Sequence, residues 1–279
     1  MFRIPTLSEI MTVARSRGAD SEAPHLWRGL VAAWPLQEGG GTRVWDVSGY
    51  GNHGTMFNMQ PASAWVRDPR GRALDFIYGY HHYISVEMPR PPLDSPLTIA
   101  ALIDCEGADP YHGGEIVNAT DPPQTFQFRV EPTNTGGRLQ FIVFAWAGQW
   151  RMATGTTPLV GTGLYMVAGT YDPRDRKPRV YVDGKYEGTA DALPGPAWQI
   201  VPNPGWPRIG GGGGDTGDAW FDGRILNVAI WWRTFTEVTL QELYADPWAM
   251  YRLRQKVYPA AAAPPPGVKI PWHLHLIAS

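Results

Sequence analysis

Arg179-Val-Tyr-Val-Asp-Gly-Lys-Tyr-Glu187 reads as a β-hairpin in nine residues. Strand-forming arms flank Asp183-Gly184, a pair suited to the positive backbone angles of a tight two-residue turn. The same texture extends in both directions. Leu164-Tyr-Met-Val-Ala-Gly-Thr-Tyr171 is a strand stopped by Asp172-Pro173. Upstream, Arg138-Leu-Gln-Phe-Ile-Val-Phe-Ala-Trp146 runs into a turn at Gly148 and returns through Trp150 and Met152. Downstream, Ile225-Leu-Asn-Val-Ala-Ile-Trp-Trp232 is apolar on both faces, which predicts a central strand. One short helix follows, capped by Thr236 or by Thr239, the latter with Glu242 at capping-box spacing. Its Leu240, Leu243 and Tyr244 are expected to face inward, and Asp246-Pro247 ends it. Many strands and one late helix make an all-β, two-sheet antiparallel sandwich.

Composition narrows the function classes. In 279 residues the formal net charge is −2 and charged residues make up 18%, so no basic field attracts nucleic acid or an anionic membrane. Neither is expected as a partner. Gly 32 and Pro 27 are together about a fifth of the chain, which fits many short strands joined by turns. Cys105 is the only cysteine, which leaves no internal disulfide, and its apolar run predicts a small buried residue. No apolar run is long enough for a transmembrane helix.

The two ends differ from the middle. Residues 1–28 hold an amphipathic segment with Leu7, Ile10, Met11 and Ala14 at helical spacing and Gly18 as its stop. The segment lacks the unbroken apolar core of a signal peptide. From Tyr251 a basic stretch leads into Pro259-Ala-Ala-Ala-Ala-Pro-Pro-Pro266 and then a tail with Val268, Ile270, Trp272, Leu274 and Leu276 at alternate positions. The expected division is an N-terminal extension over 1–28, one domain over 29–250, and a Pro-rich C-terminal extension over 251–279. Leu7, Ile10, Met11, Ile270, Trp272 and Leu274 are the candidate assembly residues, with the tail adding to a neighbour's sheet edge or folding back on its own sandwich.

Motifs follow one another in a definite order. Gly29-Leu-Val-Ala-Ala-Trp-Pro-Leu-Gln-Glu-Gly39 and Val44-Trp-Asp-Val-Ser-Gly-Tyr-Gly-Asn-His-Gly54 come first. Ala73-Leu-Asp-Phe76 with Tyr83-Ile-Ser-Val86, and Val167-Ala-Gly-Thr-Tyr171 with Val180-Tyr-Val-Asp-Gly184, come next. Arg208-Ile-Gly210, Phe221-Asp-Gly-Arg-Ile225 and the Thr236–Tyr244 helix close the series. This order resembles the LamG-like jelly rolls of the concanavalin A-like lectin/glucanase superfamily. The resemblance implies a jelly roll with one short C-terminal helix. It also implies a possible calcium near the loop of Asp46. Where the family reads Ile-Asp-Glu-Val this chain has Ile225-Leu-Asn-Val228, two acids fewer, so Asp46 as a turn-former is the favoured alternative. No cofactor is required by either reading.

Chemistry points to binding. The Glu-x-Asp-x-x-Glu strand that the resemblance would require of a glucanase is missing, and Glu115, Glu131 and Glu187 read as isolated, solvated charges. No nucleophile elbow or Cys/His cluster is present, and Gly210–Gly214 lacks the Lys-Ser/Thr of a phosphate loop. No catalytic residue is assigned. His81 and His82 are adjacent, so an extended segment points them to opposite faces, and one inward ring is expected. Sugar rings stack their C–H faces on aromatic side chains. Trp198, Trp206 and Trp220 in Pro/Gly-rich connections, and Trp146 and Trp150 around the Gly148 turn, are the candidate glycan-binding residues, of which one or two are expected to face solvent.

Two functions fit. One is a virion component, a phage structural protein displaying the lectin-like sandwich on terminal anchors that join it to other virion proteins or copies of itself. It would be made in the host cytoplasm and released without a signal peptide. The other is a cellular carbohydrate-binding module at the cell surface or outside it, exported by another route or detached from a larger enzyme. Surface glycans are possible ligands of both.

Overall fold

The computed structural model describes residues 3–86, 88, 94–119, 125–145, 149–195, 207–212 and 219–255. Their strands form two antiparallel sheets stacked face to face, the predicted jelly-roll sandwich. The first sheet runs β14 (Lys185–Thr189), β13 (Lys177–Val182), β12 (Leu164–Asp172), β7 (Leu97–Ala108), β16 (Phe221–Trp231), β5 (Gly71–Phe76), β4 (Trp65–Asp68). Strand β1 (Leu30–Trp34) pairs with the last part of β16, beyond the stretch taken by β5. The second sheet runs β11 (Trp150–Pro158), β10 (Arg138–Phe144), β9 (Phe126–Val130), β8 (Gly114–Ala119), β15 (Arg208–Ile209), β6 (Tyr83–Val86), β3 (Gly54–Phe57), β2 (Arg43–Val44).

Alternation assigns the faces of the second sheet. Phe126, Phe128 and Val130 of β9 enter the inter-sheet core with Leu139, Phe141 and Val143 of β10. The residues between them therefore leave on the outer face. The first sheet is buried on both faces. Its inner side meets that core, and its outer side carries a second apolar cluster with Leu102, Ala168, Leu226 and Trp231. This is why β16, apolar throughout, sits at the sheet's centre. The Asp183-Gly184 turn has φ of 50° and 74°, the positive pair the hairpin demands.

The second cluster corrects the expected domain boundary. Helix α1 (Leu7–Arg15) is closed by a capping box between Thr6 and Glu9, and its Ile10 and Val13 are buried. They pack with Trp27, Trp231, Trp248 and Tyr251 of the same chain. Trp27 Nε1 donates to the Met250 carbonyl at 2.7 Å, Trp231 Nε1 to that of Leu26 at 2.6 Å, and Ser21 bridges to Leu253. Arg252 is paired with both Glu22 and Asp246. Residues 3–28 and 251–255 are thus part of the domain. Ile10 is not available to a partner; it is buried in the chain's own second cluster. Met11 is half-buried against the same cluster, and Leu7 is exposed. Ile270, Trp272 and Leu274 lie outside the described residues.

Helix α2 (Pro61–Ala64) is a single turn before β4. Helix α3 (Glu237–Ala245) buries Leu240 and Leu243 as expected, whereas Tyr244 stays exposed. Its cap is Thr236, whose Oγ1 accepts the Thr239 N–H; the Thr239–Glu242 spacing is not used as a box. Thr236 wins because its extended backbone is the one that can turn its hydroxyl onto the free first-turn amides.

Candidate ligand-binding site

Of the five tryptophans singled out in the sequence, Trp150 is half exposed, at 50%. It begins β11, the edge strand of the second sheet, opposite Phe144. Strand β11 also packs against β13 and β14, so the edges of the two sheets close on each other here. Gly188 permits it: a Cβ at that position would lie 2.2 Å from the Thr154 carbonyl oxygen. At the open end of this seam is a groove of about 700 Å³ lined by Trp150, Arg151, Met152, Lys177, Thr189 and Asp191, among others. It combines an aromatic face with two cations, a carboxylate and a hydroxyl, the mixture that orients a polar ring. The Arg151 guanidinium donates to the Trp150 carbonyl at 2.9 Å, which ties it to the platform.

Trp220 departs from expectation. It is 8% exposed, stacked with His81 at 4.7 Å between centroids and tilted against Tyr83 at 6.0 Å. Its ring is buried against Gly211, where a Cβ would lie 2.5 Å from Trp220 Cζ3. His82 is the inward histidine, its Nδ1 accepting the Ile77 N–H at 3.2 Å, while His81 stays exposed. Trp146, Trp198 and Trp206 lie outside the described residues. Lys177, Thr189 and Asp191 had no sequence signal: only the tertiary meeting of β11 with β13 and β14 brings them beside Trp150.

The carboxylates are not solvated as expected. Glu131 is buried, paired with Arg138, and accepts Gln140 Nε2 at 3.2 Å. Glu187 accepts the Thr156 and Thr157 N–H groups at 2.9 and 3.1 Å. Glu115 is fully buried, and burial pushes its carboxyl up to about 8 against the weaker pull of Arg129. Glu131 and Glu187 are held by partners on other strands, and Glu115 is buried with Arg129 4.0 Å away, surroundings that an isolated glutamate in sequence does not reveal.

Asp46 is buried, and its carboxylate accepts from Ala33 N, Ser48 N and Asn52 N at 2.9 Å each and from Ser48 Oγ at 2.8 Å. Both oxygens face N–H and O–H donors, whose positive ends would repel a cation, so this donor set does not fit calcium. Among the described residues, no three His, Cys, Asp or Glu side chains are grouped to hold a metal.

Comparison with known proteins agrees with the fold. The laminin-G model described as the concanavalin A-like lectin/glucanases superfamily matches residues 79–241. No curated protein sequence matches the chain. Among solved structures, the binding domain of Paraclostridial Mosquitocidal Protein 1 has a TM-score of 0.59 at 14% identity, over 77% of this chain and 52% of that one. Domain 4 of AbnA, a GH43 extracellular arabinanase from Geobacillus stearothermophilus in complex with arabinotriose, has a TM-score of 0.51 at 16% identity, over 77% of this chain and 98% of that one. The binding domain of Botulinum Neurotoxin DC, in complex with SialylT, has a TM-score of 0.57 at 9% identity, over 78% and 51%. The chain spans about half the length of these two binding domains, of Mosquitocidal Protein 1 and of the neurotoxin. At such identities the likeness is one of fold: a lectin-like jelly roll.

Proposed function

This chain belongs to the concanavalin A-like lectin/glucanases superfamily, and from that premise we propose that it is a non-catalytic module that binds a glycan on Trp150. The observation that carries the reading is the half-exposed Trp150 ring beside a groove of about 700 Å³ edged by Arg151, Lys177 and Asp191. An exposed tryptophan among hydrogen-bonding side chains matches both surfaces of a sugar. The arabinotriose held by the arabinanase domain of like fold adds support. The absence of catalysis is part of the proposal: Glu131 and Glu187 are engaged in hydrogen bonds. The test is a glycan-array screen followed by calorimetry. Trp150→Ala should weaken the best neutral ligand by about tenfold or more, since one aromatic platform supplies roughly 1–2 kcal/mol. Unchanged affinity in a folded Trp150→Ala protein would remove the site.

The setting of the module is a second part of the proposal. A phage particle remains the reading if residues 256–279 serve as the anchor, now that residues 3–28 belong to the domain. The alternative setting, a carbohydrate-binding module of a larger cellular enzyme, draws support from the arabinanase domain, nearly all of which this fold overlays. Deleting residues 256–279 separates them. Loss of self-association or particle incorporation with unchanged melting favours anchoring, and a protein monomeric before and after deletion removes it.

A further inference from the structure

The hairpin of β4 and β5 sets two arginines against each other at the rim of the sandwich. Arg67 pairs directly with Arg72, next to the Asp68–Gly71 pair that closes the turn. Alternation puts them in line with Trp65 and Leu74, which pack on the inter-sheet core. Like charges directly opposite each other on a sheet are destabilising. Among the described residues, no acid lies within ion-pair distance of either guanidinium, and neither guanidinium makes a hydrogen bond. The two arginines line an open cleft of about 460 Å³, together with Gln37, Glu38, Asp68 and an apolar wall of Ile4, Pro5 and Leu7. Arg67 and Leu7 are exposed, so the cleft is reached from solvent. Buried Gln37 fixes Arg72 through the main chain: its Oε1 accepts the Arg72 N–H and its Nε2 donates to the Arg72 carbonyl, both at 3.1 Å. The Arg72 guanidinium rests on Gly39, where a Cβ would run into Nη1. The cleft's two acids are engaged elsewhere. Glu38 Oε1 accepts the Trp45 N–H at 2.7 Å, and Asp68 Oδ1 accepts the Arg70 N–H at 2.8 Å. Burial raises the Glu38 carboxyl, the opposite of what an adjacent guanidinium does.

We propose that this cleft is a binding site for a phosphate monoester, held between Arg67 and Arg72. It is separate from the Trp150 groove, because β4 and β14 are the opposite edges of the first sheet, and it does not rest on the glycan reading. One planar guanidinium fork satisfies a carboxylate. A phosphate monoester carries a charge of about −1.5 to −2 at neutral pH and three acceptor oxygens, which is enough for two forks. Seated there, it turns the repulsion between the arginines into two charge-assisted contacts. Ile4, Pro5 and Leu7 meet the carbon body of the ester, which distinguishes it from a bare anion.

The experiment is calorimetry on the full chain at neutral pH and physiological ionic strength, with phenyl phosphate, inorganic phosphate and benzoate as probes. Phenyl phosphate should bind more tightly than inorganic phosphate, which has no apolar body, and than benzoate, which has no second charge. Arg72→Gln should weaken it by about tenfold or more, the loss expected for a charge-assisted contact. Arg67→Glu sets an acid across from Arg72, so it should abolish binding while the ligand-free protein melts no lower than the parent. Trp150→Ala should leave phenyl phosphate binding unchanged, so that failure of the groove and failure of this cleft are distinguishable. No binding to the parent protein, equal binding of benzoate or inorganic phosphate, or full affinity in folded variants would each overturn the assignment. If Arg72→Gln fails to fold, Arg67→Glu, at an exposed position, decides alone.

Discussion

At the scale of the residue, two carboxyl groups show opposite ways of burying an acid. Asp46 is matched donor for donor, with three backbone N–H groups and one hydroxyl converging on it. Asp46→Ala should destabilise the fold by about 3 kcal/mol or more, because three buried amides lose their acceptor. Chelator should leave the melting temperature of the parent unchanged, because the carboxylate has no lone pair directed at a cation; a calcium-dependent rise would refute this. Glu115 is unmatched, and burial raises its carboxyl from the ordinary range to about 8. Because the folded form holds its proton more tightly than the unfolded chain, stability is full below about pH 4.5 and declines as pH rises to about 8. Denaturant melts across this window should show that slope. Glu115→Gln, which keeps the shape without the charge, should flatten it and be the more stable protein at alkaline pH. A parent whose stability is flat from acid to alkaline pH would contradict the reading.

At the scale of the element, local chemistry and tertiary context divide what could be read from sequence. The hairpin at Asp183-Gly184 was legible because its turn needs positive φ, which few residue pairs supply. The central position of β16 was legible because both of its faces are apolar. Helix α1 was legible as a helix and misread as a detached one. Periodicity places Ile10 and Met11 on one face, but it does not say whose core that face meets. The turn Ala249–Tyr251, which receives it, lies near the other end of the sequence and carries no mark of the contact. Ile10→Ala should therefore cost about 2–4 kcal/mol in a thermal or denaturant melt, the toll of a cavity in a packed core. A change below about 0.5 kcal/mol, the surface level, would return the helix to the status of an extension.

At the scale of the whole molecule, the sandwich was legible from the order of its motifs, and the ligand surfaces were not. Trp150 could be named because it stands at a strand end beside a turn. Its neighbours Lys177 and Thr189 belong to the opposite sheet, and Asp191 follows that sheet's edge strand, a meeting that no local pattern encodes. Trp220 shows the converse: its ring looks free in sequence and is covered in space by His81 and Tyr83.

The bridge between Ser21 and Leu253 has a mechanical meaning. The Arg254 N–H donates to Asp20 O at 2.8 Å and the Glu22 N–H to Arg252 O at 3.0 Å, so the two flanking segments of the domain run side by side within it. Tension applied through those flanks meets these bonds one after another, as in a zipper, and does not load them together in shear. The zipper opens first, the segment ahead of β1 peels away from Trp248 and Tyr251, and the strands of the sandwich feel the pull only afterwards. In single-molecule stretching the domain should lengthen in two steps, a weak early one and a stronger late one, like a seat belt that pays out before it locks.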